Sequence, residues 1–496
     1  MTFMEGSEAE TKPPRAGAGR HTPSPESTLG RAGPWQALGL VFCFAVLVGL
    51  LAMHVALLPS GRWFDEYFTF GFFRVWGLGG LMFRLRHWSM RPVSDAMVYG
   101  YWLLVQAAGR PLVTPVLAVA WGLLAAMLAA CIRPWRRPGR IARWALLLGL
   151  PLLFLLATPV EEMWYWPLGA FAYLPALGGV CFAVLAVAGP GLRRDRDWIA
   201  LAASLTLAAF SAELGAFFAV ILCPLLFVDG FRRGAPVRCM FMIAVPLLAA
   251  GFVMICLLTG RATIPVDTAV PGPLLRHAMA SLMAAVPTVL GGIAGTSDDV
   301  GATLRGVAAR VLLGLGAWAA LRQAWPAPVS RWPVAAVGVA MAGASLLSIA
   351  GAYFQFGALC CPRHESFRQA MDLLMVVLVA GVLPRGGVWR GWTRVVLAPP
   401  ALLVAAALVG APPRVVALLA EYRVAPAQSR AKAAMWRSGQ DHTSPTLEVV
   451  QVTDGPLLAG YPFTPGVYGL SQKLPWYVQG PMLFFGKTRL VVTKGQ

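Results

Sequence analysis

The sequence predicts an all-α polytopic membrane protein of about eleven transmembrane helices. It carries a small C-terminal extramembrane domain containing β-strands. Three observations predict this class. First, 58% of the 496 residues are hydrophobic and only 13% are charged, with a mean hydropathy of +0.66; soluble chains hold about a quarter charged residues. Second, the apolar residues gather into runs able to cross ~30 Å of hydrocarbon. Third, arginines gather in the gaps between those runs, as the positive-inside rule expects of cytoplasmic loops.

The net charge of +19 invites a nucleic-acid partner. Its placement excludes one. Of 41 Lys plus Arg, only Lys12, Lys432, Lys473, Lys487 and Lys494 are lysine. The arginines punctuate spans and form no soluble basic patch interleaved with aromatics. The partner that this pattern implies is the lipid bilayer. The preference for Ala, Gly, Pro and Arg over Lys is that of a GC-rich bacterial genome. Eight cysteines are scattered without a CxxC, which argues against structural zinc. The adjacent Cys360 and Cys361 read as two unpaired thiols, with a vicinal disulfide as the other option.

Residues 1–34 are polar and rich in Pro, Gly, Ser, Thr and Glu, a disordered cytoplasmic tail by composition. Residues 35–59 form the first span. Residues 60–93 mix Arg62, Asp65, Glu66, Arg74, Arg84, Arg86, His87 and Arg91 with aromatics and glycines, and cannot cross. Residues 94–108 are apolar but short, and read as a helix along the membrane face. The outer loop therefore runs over 60–110, and 111–132 crosses. Were 94–108 to cross as well, the five arginines between 133 and 143 would lie outside. That cluster is the strongest cytoplasmic signal in the chain, and it sets the parity.

Further spans follow near 144–158, 168–189, 198–212, 215–229, 239–258, 306–321, 332–352, 369–384 and 395–411. The transmembrane domain is thus 35–411. Residues 412–496 form a periplasmic domain, with strands expected at 447–452 and 483–492 from their alternation. No internal repeat supports an inverted-repeat transporter.

Charges near a bilayer mark function. Asp65 and Glu66 follow the first span, where a carboxylate could act as general base toward a hydroxyl acceptor, or hold a divalent cation. Equally, Asp65 could cap a helix starting at Glu66. Glu161 and Glu162 precede Trp164, Tyr165 and Trp166. The acids could bind sugar hydroxyls with Trp164 and Trp166 stacking on the sugar, though rings at this depth are also ordinary belt residues. Glu213 either caps the following helix or faces the same outer cavity. Arg363, His364 and Arg368, with Glu365, form the densest late cluster. Arginine forks suit a lipid phosphate or diphosphate, and an interfacial anchor is the alternative. No HExxH, Walker or GxSxG pattern occurs.

The order of these features resembles the GT-C superfamily of membrane glycosyltransferases, which includes lipid A aminoarabinose transferases and protein O-mannosyltransferases. The resemblance rests on Asp65-Glu66-Tyr67 after one span, and on Arg91-Pro92 opening a short helix to Ala108. It continues through Gly109-Arg110 leading into a span that ends in RPWRR, and is clearest over 36–137. The segment YWPLGAFAYLPAL at 165–177 is similar to GT-C-like membrane proteins. The resemblance implies a GT-C-like fold of 11 to 13 spans with an outward active site. It implies a polyprenyl-phosphate-linked sugar as donor and a glycan, lipid or protein as acceptor. Asp65 would be the base or acceptor-positioning carboxylate, and Arg91 would stand near the donor phosphate. One departure is Arg91-Pro92-Val93, where the family usually has a double proline. The competing functions are a flippase or transporter of lipid-linked glycans, and an O-antigen polymerase or ligase centred on Arg363 and His364.

Overall fold

The computed structural model describes residues 34–61, 65–87, 90–133, 139–189, 192, 194–232, 237–260, 274–297, 299–325, 330–356, 361–383, 397–452, 454–458, 463–470 and 476–494. Nearly all of the tail expected at 1–34 lies outside them. So do the side chain of Asp65 and the arginines 136 and 137.

Helix α1 (Pro34–Ala56) ends in a 3₁₀ turn, Leu58–Ser60. The expected outer loop holds three helices, α2 (Asp65–Trp76), α3 (Leu78–His87) and α4 (Pro92–Ala108). Pro92 opens α4 where its missing N–H costs nothing, and Gly109, at φ 60°, closes it. Then come α5 (Val113–Ile132), α6 (Arg140–Ala157), the one-turn α7 (Glu161–Trp164), α8 (Pro167–Ala188), α9 (Asp195–Ser211) and α10 (Glu213–Arg232). The bundle continues with α11 (Val237–Gly260), α12 (Leu274–Ala294), α13 (Val300–Ala324), α14 (Arg331–Phe356), α15 (Pro362–Val382) and α16 (Ala398–Gly410).

Among the described residues, eight helices are long and apolar enough to cross a membrane, or nine if α16 and the following helix count as one bent span. Eleven were expected, and three of them fall short for identifiable reasons. Helix α9 has 17 residues and opens with Asp195-Arg196-Asp197; its length is about 26 Å. Helix α15 carries Arg363, His364, Glu365, Arg368 and Asp372. Helix α16 has only 13 residues. Conversely, α12 lies where an outer loop was expected at 259–305, and is apolar from Met279 to Ala294.

The core centres on α8, which is buried throughout its apolar window. It packs against α5, α9, α15 and α4. Burial on every face explains its hydrophobicity all round.

Helix α17 (Pro412–Gln440) turns 78° away from α16. With Arg414, Glu421, Arg423, Arg430, Lys432 and Arg437 it is too charged to span. A three-stranded sheet follows: β1 (Thr446–Gln451), β2 (Gly466–Gly469) and β3 (Arg489–Lys494), in the order β1-β3-β2. Strands β1 and β3 are parallel, with Leu447 opposite Leu490 and Val449 opposite Val492, and all four are buried. The first expected strand is β1. The second is half right, since Leu483–Phe485 belong to helix α18 (Trp476–Phe485) and the strand starts at Arg489.

Helix α18 packs on α2. A Cβ on Gly480 would meet the Phe68 nitrogen at 2.6 Å, so glycine sets this close crossing. Tyr67 meets Phe484 and Phe485 with ring centroids 5.0 and 5.4 Å apart. The C-terminal segment is therefore built onto the helix that begins with the acidic pair. Cys361 is disulfide-bonded, which corrects the unpaired-thiol reading; Cys360 lies outside the described residues.

Candidate functional site

Residues from five separate segments meet around the Tyr173 ring. Arg91, at the N-cap of α4, donates from Nε to Glu213 at 2.8 Å and makes a 2.6 Å ion pair through Nη2. The same guanidinium donates to the Tyr173 hydroxyl at 3.3 Å. Arg363, in the first turn of α15, stands close enough to Tyr173 for its charge to act on the phenol. Its Nη1 donates to Glu162 at 3.1 Å, and it stands 5.4 Å from the centre of the Trp166 ring. His364 packs edge-on to Tyr173 at 5.6 Å.

The placement follows from helix geometry. Glu213 opens α10 and Glu162 lies in the first turn of α7, where the helix dipole favours carboxylates. Arg91 and Arg363 stand at the starts of α4 and α15, where the dipole opposes a cation. Their glutamate partners offset that. Burial, the largest single effect, lowers the Arg91 pKa, but the charge and hydrogen bond of Glu213 together with the charges of Tyr173 and Asp95 outweigh it, so the net shift is upward. Arg91 stays charged at every accessible pH.

A ladder links this centre to the acidic helix. Arg84 on α3 donates to Thr69 of α2 at 3.1 Å and to Asp95 of α4 at 3.1 and 3.3 Å. Asp95 lies one turn along α4 from Arg91. Burial pushes its carboxyl up, while Arg84 and Arg91 draw it back. Thr69 is one turn from Asp65, about 6 Å.

Of the sequence candidates, Arg91, Glu162, Trp166, Glu213, Arg363 and His364 come together. Glu66 is buried and accepts from the Tyr101 hydroxyl at 3.1 Å, at the lower end of the same ladder. Asp65 is the first residue of α2. Glu161 opens α7 and is half-buried. Trp164 is a core residue, edge-on to Trp121 at 5.5 Å and accepting from its indole through the backbone. Arg368 faces the other way on α15, toward Asp372 at 3.4 Å. Sequence reasoning missed Tyr173 as the hub and Lys432 as a brace. Tyr173 sits in the quoted 165–177 segment, but the spacing does not distinguish it from Tyr165. Lys432 was visible as a rare lysine on an otherwise arginine-rich chain.

Lys432 of α17 donates to the carbonyls of Ser60 and Gly61 at 2.6 and 2.5 Å, four residues before Asp65. Burial lowers its pKa to about 7, although Glu66 and Glu421 oppose that shift. Gly61 is itself wedged in place, since a Cβ there would meet the Tyr165 carbonyl at 2.6 Å. Among the described residues, no three His, Cys, Asp or Glu side chains gather as cation ligands.

These features define a multi-pass helical membrane protein with an arginine–carboxylate centre at the helix starts of one end of the bundle. No protein-family model, curated protein or solved structure matches the chain.

Proposed function

We propose that this chain is a membrane glycosyltransferase of the GT-C type. It moves a sugar from a polyprenyl-phosphate donor to a glycan, lipid or protein acceptor at the outer face of a bacterial inner membrane. One observation carries the reading. Arg91 and Arg363 converge on Tyr173 where α4, α10 and α15 all begin, and the ladder through Asp95, Arg84 and Thr69 ties this point to the acidic start of α2. Helix starts and arginine forks both attract phosphate oxygens. A phosphate-linked sugar is already activated, so it needs positioning, a base and charge stabilisation of the leaving phosphate. Arg91 and Arg363 supply the charge. Asp65 is the base, while Glu66, held behind Tyr101, supports it. Glu162 and Glu213 hold the arginines until phosphate competes for them.

The test is turnover of a panel of short-chain polyprenyl-phosphate hexoses and pentoses by the full chain in nanodiscs. Asp65→Asn should lower kcat by roughly 10²-fold or more, the usual worth of a general base. Undiminished turnover in that variant would sink the assignment. The joint placement of Arg363 and His364 on Tyr173 favours a second reading, an O-antigen polymerase or ligase. In that case Arg363→Ala abolishes activity and Asp65→Asn spares it.

A further inference from the structure

Behind this centre, on the opposite side of α15, lies a cavity of about 810 Å³. Arg363, His364 and Phe367 face Tyr173 or its glutamate neighbour. Glu365, Arg368 and Gln369, from the same two turns, line the cavity instead. Three more arginines reach it, Arg305 and Arg310 from α13 and Arg414 from the start of α17. Leu153, Leu156, Leu313 and Leu373 form its apolar wall, and Thr288, Thr296 and Ser297 add hydroxyls. The cavity does not belong to the acidic loop. Arg414 and Lys432 are 18 residues apart on α17, about 27 Å along a straight helix.

The charges do not cancel. Arg368 pairs with Asp372 at 3.4 Å, and Arg305 reaches Asp299 at 3.8 Å on the exposed rim. Among the described residues, Glu365 is the one carboxylate in the lining, and it accepts from Gln369 at 2.7 Å. Arg310 donates to the carbonyls of Gly292 and Gly306 at 2.6 and 3.2 Å, and its buried Nε has no partner. Neither Arg310 nor Arg414 stands within ion-pair distance of a described carboxylate, although Asp372 acts on Arg310 and Glu365 on Arg414 at longer range. Four guanidinium groups against three described carboxylates, Asp299, Glu365 and Asp372, leave positive charge in excess at an apolar-walled hollow, a setting that favours a bound anion. The guanidinium fork matches phosphate oxygens, and the leucine wall matches a hydrocarbon chain.

We propose that this cavity is a second binding site, for a phosphate-bearing amphiphile, independent of the transferase reading. The phosphate lies among Arg305, Arg310, Arg368 and Arg414, and the chain runs along the leucines of α6, α13 and α15. The test is native mass spectrometry of the detergent-solubilised full chain with phosphatidylglycerol, with phosphatidylcholine as the zwitterionic control and inorganic phosphate as competitor. Phosphatidylglycerol should bind at one per chain, at least tenfold tighter than phosphatidylcholine. The Arg305→Gln/Arg414→Gln double variant, which leaves the interior Arg310 and Arg368 contacts in place, should lower that affinity tenfold or more. Equal binding of the two lipids, or unchanged binding by the double variant, would overturn the site. Competition by millimolar inorganic phosphate supports phosphate recognition. Retention of inorganic phosphate without any lipid would overturn the amphiphile and assign a soluble anion. Turnover of the donor panel does not enter these readouts, so failure of the transferase reading leaves them intact.

Discussion

The Arg91–Glu213 pair offers the sharpest test of the central network. Both side chains are largely withdrawn from solvent, at 16% and 8% exposure. Removing one partner from such a pair strands the other charge, which costs about 3–5 kcal/mol, whereas removing both together is often near neutral. Arg91→Met should therefore be strongly destabilising, and Glu213→Leu should be less so. The asymmetry comes from the neighbours. Without Arg91, Glu213 loses its cation and Asp95 loses one of its two. Without Glu213, Arg91 keeps the Tyr173 hydroxyl and the charge of Asp95. The double variant should recover most of the loss, giving a coupling of about 3 kcal/mol or more. The assay is equilibrium unfolding in mixed micelles with a rising fraction of denaturing detergent. Single losses that simply add, with coupling under about 0.5 kcal/mol, would refute the idea that these residues act as one buried unit.

Two further predictions concern the brace at the start of the acidic loop. Lys432 has a folded pKa of about 7 against an ordinary 10.5. Between those values the unfolded chain binds more protons than the folded one, so stability rises with pH across that window. Unfolding curves at pH 6, 8 and 9.5 should show that rise, and Lys432→Met should flatten it; parallel curves would contradict the assignment. Gly61→Val should displace the chain from the Tyr165 carbonyl and Leu117, whose Cδ1 would lie 2.7 Å from an added Cβ. Tryptic cleavage after Arg62 should quicken, and an unchanged digestion rate would argue that the loop start adapts freely.

The apolar runs were legible because burial or lipid exposure over a whole helix leaves a continuous signal, as α8 shows. Helices α9 and α15 were placed at nearly the right residues, but their charges and length keep them from meeting the requirements of a free-standing span. Helix α12 was hidden by Arg276, His277 and Pro287, which break its hydropathy. Most of the candidate site was legible for a simple reason: few carboxylates lie at span ends, so each one found there had to have a partner. Which arginine meets which glutamate was not legible. The Arg363–Glu162 and Arg91–Glu213 pairs join residues 201 and 122 positions apart, and only the packing of α15 and α4 against α8 selects them. Leu483–Phe485 show the opposite failure. Apolar and aromatic residues there read as strand, yet the surface awaiting them is the aromatic face of α2, which α18 meets as a helix.

That last contact bears on how the acidic helix is held. Its start hangs from a chain segment gripped by Lys432 of α17. Its middle is clasped by α18 through Tyr67, Phe70 and the Phe484 carbonyl that accepts from Arg74. Its far face is tied to α4 through Glu66–Tyr101 and, by way of Arg84, through Thr69–Asp95. Three-sided restraint with buried charge at two sides is costly to assemble, and it yields a helix start whose position depends on both the C-terminal segment and the bundle. Shortening the chain before α17 would remove two of the three restraints, Lys432 and α18, and leave Glu66 without the opposing ammonium. A C-terminal truncation should therefore impair the acidic loop even if the transmembrane bundle remains folded.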